Sequence, residues 1–203
     1  MRPKILSKRT LLIVVPLGGI LLAALLLNFI PKTSIQSGSA SLVENVSTLS
    51  HQNQAIVGLP TRLKIPGIGV DTAILSLGLT ANGAMDVPKS PTEVAWFNLG
   101  PRPGKSGSAV IAGHYDWTNN MPAVFANIHK LRIGDKIYIE DEKGVITAFV
   151  VSKTRVYGKD EIVPEVFISN DGKARLNLIT CTGSWNKAEK TYSNRLVVFT
   201  EKE

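Results

Sequence analysis

Arg175-Leu176-Asn177-Leu178-Ile179-Thr180-Cys181-Thr182-Gly183 reads as a β-strand that carries the chain's single cysteine to an exposed end. Leu176, Leu178 and Thr180 share one face at period 2, while Asn177, Ile179 and Cys181 share the other. Thr182, Gly183 and Ser184 supply turn chemistry, which places Cys181 where a strand meets a loop. A thiol there is open to a substrate. A lone cysteine can equally be a buried structural residue, and the residues around it have to decide between the two.

Working outward, Arg195-Leu196-Val197-Val198-Phe199-Thr200 is a second strand, and pairing the two as a hairpin makes Cys181 and Arg195 neighbours. Upstream, Ser108-Ala109-Val110-Ile111-Ala112-Gly113-His114 is a small-residue and β-branched strand running into a histidine. Further short β-rich runs lie at Arg62–Ile65, Val70–Leu77, Glu93–Phe97, Lys136–Glu140 and Val145–Val156. Turn signals such as Pro66-Gly67, Asn82-Gly83, Gly134-Asp135 and Asp171-Gly172 separate them. Many short strands at close spacing predict an all-β fold, an antiparallel barrel or a sandwich. Met121 to Lys130 has a helical pattern, with Val124, Phe125 and Ile128 apolar and Pro122 suited to a first helical position.

The other end of the chain sets the compartment. Leu11 to Ile30 is apolar and uncharged, and as a helix would span about 30 Å, the thickness of a bilayer's hydrocarbon core. Arg2, Lys4, Lys8 and Arg9 precede it, so residues 1–10 read as a cytoplasmic basic tail and 11–30 as an uncleaved transmembrane signal-anchor. A cleaved signal peptide competes with that reading, since Ser37-Gly38-Ser39-Ala40 offers small residues. Residues 31–58, rich in Ser, Asn and Gln, read as a flexible extracellular stalk, and 59–203 as the folded domain.

Of the formal net charge of +7, those four basic residues supply +4, which leaves +3 for the rest of the 203 residues. There is no nucleic-acid footprint in that balance. One cysteine excludes an internal disulfide and a zinc site built on several thiolates, and no acidic cluster suggests a metal. No cofactor is expected.

His114, Cys181 and Arg195 together offer a base, a thiol and a fixed cation, each at a strand end. With ordinary values of about 8.5 for Cys and 6.5 for His, the neutral pair dominates, and thiolate–imidazolium is about one part in a hundred. A guanidinium nearby favours thiolate and can donate hydrogen bonds to a carbonyl oxygen under attack. His51 falls in the stalk, and His129 ends the expected helix, a comfortable place for an imidazole.

These residues resemble the sortases, cysteine transpeptidases anchored outside Gram-positive cells. Leu178-Ile179-Thr180-Cys181 is similar to their L-x-T-C signature, Ala112-Gly113-His114 to the end of their histidine strand, and Asn194-Arg195-Leu196-Val197-Val198 to their arginine strand. Leu59–Pro66, Gly83–Pro88 and Gly107–His114 look closest to the subgroup called class F. Two positions depart from the pattern: Asn177 stands where Thr is common, and Thr182-Gly183 where many class F members carry Gly-Gly.

The resemblance implies a closed, mainly antiparallel eight-stranded barrel with one or two short helices, recognising a sorting signal like Leu-Pro-x-Thr-Gly. Cys181 would attack the Thr carbonyl, His114 would protonate the leaving amine, and Arg195 would hold the substrate and its oxyanion. Residues 157–170 would wall the substrate groove, with Val163, Val166 and Ile168 as substrate-binding candidates beside Thr180. The implied partners are surface proteins bearing the signal, an amine acceptor such as a cell-wall precursor, and the membrane. Two other readings stand beside this one: a hydrolytic cysteine peptidase of another fold, and a non-catalytic wall-binding β-domain. The papain type places Cys before His, and the caspase Gln-Ala-Cys-x-Gly motif is absent.

Overall fold

Apolar runs without polar alternation, such as Ala109-Val110-Ile111-Ala112 and Leu196-Val197-Val198-Phe199, belong to strands covered on both faces. The structure, a computed structural model describing residues 57–203, shows what covers them. The expected basic tail and anchor, and the stalk up to residue 56, lie outside the described residues, as does His51. Among the described residues no helix is long and apolar enough to cross a membrane.

Eight strands form the fold: β1 (Pro60–Ile65), β2 (Val70–Leu77), β3 (Val94–Phe97), β4 (Gly107–Gly113), β5 (Lys136–Asp141), β6 (Ile146–Gly158), β7 (Ala174–Asn186) and β8 (Thr191–Lys202). They close into a barrel in the order β1-β2-β3-β4-β7-β8-β6-β5. Pairing is antiparallel except between β2 and β3 and between β4 and β7, which run parallel. Closure gives every strand a partner on both sides over part of its length.

The barrel interior is filled by side chains including Leu63, Ile111, Phe149, Leu176, Leu178 and Val198, all fully buried. Burying each such side chain stabilises the fold by about 1.5–3 kcal/mol relative to exposure. A second, smaller cluster lies on the outer face of β4, β7 and β8. Here Val110, Val197 and Phe199 are roofed by Tyr157 and by Val166 of α1 (Pro164–Phe167), a single turn between β6 and β7. This roof is why β4 and β8 are apolar on both sides.

The helix expected over Met121 to Lys130 is not formed; only a 3-10 turn, Ile128–Lys130, lies there. The apolar spacing reported burial correctly, since Phe125 and Ile128 are buried in the core. The backbone donors go elsewhere, however. Ala123 N–H bonds the Tyr115 carbonyl, Val124 N–H that of Pro91 and Phe125 N–H that of His114, at 3.2, 2.8 and 2.9 Å. Long-range partners therefore replace the bonds a helix would have made.

Candidate active site

In the barrel order β4, β7 and β8 are adjacent, so the chain order His, Cys, Arg is also a spatial order. The parallel pairing of β4 with β7 ends at Ala112↔Ile179. From Thr180 onward β7 has a partner only on its β8 side, where Cys181 pairs with Arg195. Neither residue sits at a strand terminus, which corrects the expected loop after the thiol: β7 runs on to Asn186 and β8 begins at Thr191. Gly183, at φ 88°, marks an irregularity in the β7–β8 register rather than a turn. Only that second position needs the left-handed backbone region that glycine tolerates, so Thr182 is accommodated before it. Cys181 is reached because β4 stops, not because β7 does.

His114 is the first residue beyond β4. Its Nε2–H donates to the Pro88 carbonyl at 2.7 Å, which leaves Nδ1 as the nitrogen free to exchange a proton. The ring lies edge-on to Trp117 with centroids 4.9 Å apart, and the His114 carbonyl accepts from Phe125 N–H at 2.9 Å. The buried Thr180 hydroxyl donates to the Gly113 carbonyl at 2.8 Å, coupling the residue before the thiol to the residue before the histidine.

Arg195 is anchored by oxygens that carry no formal charge. Nη1 donates to the Tyr192 and Asn194 carbonyls at 3.0 and 2.9 Å, and Nη2 to Thr191 Oγ1 at 3.2 Å. Among the described residues no carboxylate lies within ion-pair distance of it. Its charge is thus held in place yet left available for an anion. Burial pushes the Cys181 thiol above its ordinary range, the Arg195 charge pulls it down, and the Asp116 carboxylate pushes it up again.

His114, Cys181 and Arg195 line one cavity of about 480 Å³ on the outer face of the barrel. Val163 and Val166, both expected in the groove, line it as well. Ile168 does not: it is 59% exposed and borders a separate hollow with Ser152 and Arg175. Thr180 also borders the cavity, with its hydroxyl donating to the Gly113 carbonyl. Met85, Val87, Tyr157 and Phe167 add to the apolar lining; Tyr157 and Phe167 fall within the expected wall 157–170, whereas Met85 and Val87 had no expected place in the groove. The stretch Gly83–Pro88 was visible as a motif; that its Pro88 carbonyl would orient a histidine 26 residues later was not. His129 lies outside the cavity and donates from Nδ1 to the Ala126 carbonyl at 3.0 Å. Among the described residues no three His, Cys, Asp or Glu side chains are grouped to hold a metal.

The wall formed by the β6–β7 connection is pinned at three points. Asn177 Nδ2–H, fully buried, donates to the Val166 carbonyl at 2.6 Å, so the departure at this position serves the groove wall. Tyr157 O–H donates to Glu165 Oε1 at 2.6 Å. Arg175 makes two bonds to Asp171, whose carboxyl is held far below the usual carboxylate range by that guanidinium.

The comparisons with known proteins agree with this fold. The sortase domain family matches residues 63–203. Among solved structures, sortase C1 of Streptococcus agalactiae, in complex with MTSET, is 22% identical with a TM-score of 0.55, covering 71% of this chain and 69% of that one. Sortase C2 of Group B Streptococcus Pilus Island 1 is 25% identical with a TM-score of 0.55, covering 70% of this chain and 73% of that one. Sortase C-1 of Actinomyces oris is also 25% identical with a TM-score of 0.55, covering 70% and 72% respectively. No curated protein matches. A peptidase of another fold is thereby set aside, since barrel, strand order and family match coincide, and the chain belongs to the sortase family of cysteine transpeptidases.

Proposed function

We propose that the protein is a membrane-anchored transpeptidase that cuts a Leu-Pro-x-Thr-Gly-like sorting signal and joins the product to an amine acceptor. The observation that carries this reading is the cross-strand pairing of Cys181 with Arg195 in the cavity that also holds His114. In the minor thiolate–imidazolium form, Cys181 Sγ attacks the Thr carbonyl carbon and Arg195 donates to the developing oxyanion. The C–N bond breaks as His114 Nδ1–H gives its proton to the leaving amine, which leaves a thioacyl-enzyme and a neutral imidazole. An acceptor amine then attacks the thioester carbon, His114 Nδ1 takes a proton from its nitrogen, and the thiolate departs. Both partners return to their starting charges.

Val163 and Val166 serve in this reading as apolar contacts for the signal peptide, and Thr180 fixes the spacing of thiol and histidine. The finer placement within class F rests on the sequence stretches Leu59–Pro66, Gly83–Pro88 and Gly107–His114. The apolar segment 11–30 with its basic flank supports a single-pass anchor, N-terminus in the cytoplasm and catalytic domain outside, facing surface proteins and cell-wall precursors. The test is product analysis by mass spectrometry after incubating the full chain with Leu-Pro-x-Thr-Gly-like peptides and oligoglycine. Cleavage between Thr and Gly with an oligoglycine adduct supports the reading. Intact peptide throughout the library would overturn it.

A further inference from the structure

Along the β7–β8 ribbon the register runs from Ile179↔Val197, which border the groove, through Cys181↔Arg195, to Trp185↔Tyr192 beyond. The thiol therefore stands between two different surfaces. One is the apolar groove with Val163 and Val166. The other is a patch in which the Tyr192 ring meets Trp185 edge-on at 5.2 Å and Tyr115 at 5.8 Å. Tyr192 O–H also donates to Asp116 Oδ2, and the Tyr192 carbonyl anchors Arg195.

Asp116 is the unusual member. It is half-buried, and among the described residues no lysine, arginine or histidine lies within ion-pair distance of it. Among the described residues its only side-chain hydrogen bond is the one from Tyr192 to Oδ2, and Oδ1 has no partner there. The carboxylate lies close enough to Cys181 to shift the thiol, and its bond to Tyr192 is the main cause holding that phenol up at about 12. A negative charge of this kind works against thiolate formation at a thiol nucleophile. It has a use if a positive group must be brought to the same place.

We propose that Asp116, Tyr115, Tyr192 and Trp185 form the docking site for the primary ammonium group of the acyl acceptor. This rests on the transpeptidase reading above, and it names the chemistry by which the second substrate is recognised. An open carboxylate oxygen accepts a charge-assisted hydrogen bond from an ammonium, and aromatic faces add cation–π attraction. With the acyl chain in the groove, the acceptor arrives from the ribbon side, where these four residues stand. The docked ammonium releases one proton to water. Its nitrogen then attacks the thioester and passes a second proton to His114 Nδ1.

The test is a competition for one acyl-enzyme. The full chain is incubated with signal peptide, triglycine amide (cationic near neutral pH) and hydroxylamine (neutral there), and the two products are quantified. Acylation cancels in the product ratio, so a change in thiol reactivity does not register. Asp116→Asn keeps an acceptor for the Tyr192 hydroxyl but removes the charge, and should lower the triglycine-to-hydroxylamine ratio about tenfold. Trp185→Ala, at an exposed ring, should lower it in the same direction. A wild-type ratio in both variants would overturn the proposal, and equal loss of both products would reduce the cluster to a structural tie. If no acyl-enzyme forms, the transpeptidase reading has failed separately. The site is then tested by titrating triglycine amide into the free chain, following tryptophan fluorescence. Saturable binding weakened in Asp116→Asn supports it. No saturation, or equal affinity in the two proteins, overturns it.

Discussion

Cys181 is caught between two charges of opposite sign, and the balance is measurable. Burial and Asp116 raise its pKa while Arg195 lowers it. Alkylation by iodoacetamide should therefore rise with pH around a midpoint above the ordinary thiol value of about 8.5. Asp116→Asn removes an opposing negative charge and should move that midpoint down, whereas Arg195→Gln should move it up. Unchanged midpoints in mass-spectrometric labelling would show that neither charge reaches the thiol. That His114, Cys181 and Arg195 share one cavity was legible because each sits in a short local pattern on its own strand: Ala112-Gly113-His114, Leu178-Ile179-Thr180-Cys181 and Asn194-Arg195-Leu196. Asp116 and Pro88 were not. Their roles depend on contacts with Tyr192 and His114, 76 and 26 residues away, which no local period encodes.

At the scale of elements, the site depends on where β4 ends and on what packs behind it. A Cβ on Gly113 would come within 2.6 Å of the Phe125 ring, which is fully buried in the barrel core. Gly113→Ala should therefore destabilise the domain by about 1–3 kcal/mol, read as a lower midpoint in urea unfolding. An unchanged midpoint would mean that Phe125 yields freely and that the end of β4 is not set by this contact. All eight strands were legible, because β-branched runs bounded by Gly, Pro and Asp turns are local signals. The connections were read less well. Met121 to Lys130 has helical spacing but gives its backbone donors to Tyr115, Pro91 and His114, and the irregularity at Gly183 looked like a turn in sequence. Ile168 was grouped with Val163 and Val166 by proximity in the chain. The turn of α1, with Asn177 gripping Val166, instead leaves it outside the groove.

At the scale of the molecule, the closed barrel of residues 57–203 sets β4, β7 and β8 side by side and presents a groove on its outer face rather than a chamber inside it. The interior is packed with side chains, and the thiol faces the outer cavity, so the proposed peptide substrate would reach it without opening the fold. The anchor reading belongs to this scale too. An uncleaved segment 11–30 leaves a mature cellular protein that begins at Met1 or Arg2, whereas N-terminal sequencing that finds a start near Ser41 would show cleavage instead. The central claim is that Cys181 forms a thioacyl-enzyme with a sorting signal, and intact-protein mass spectrometry of the full chain mixed with such a peptide tests it most directly. The expected result is an adduct of the acyl fragment's mass, mapped to Cys181, removable by hydroxylamine and absent from a folded Cys181→Ala variant. A folded wild-type chain that stays unmodified across the peptide library, or an adduct that persists in Cys181→Ala, would contradict it.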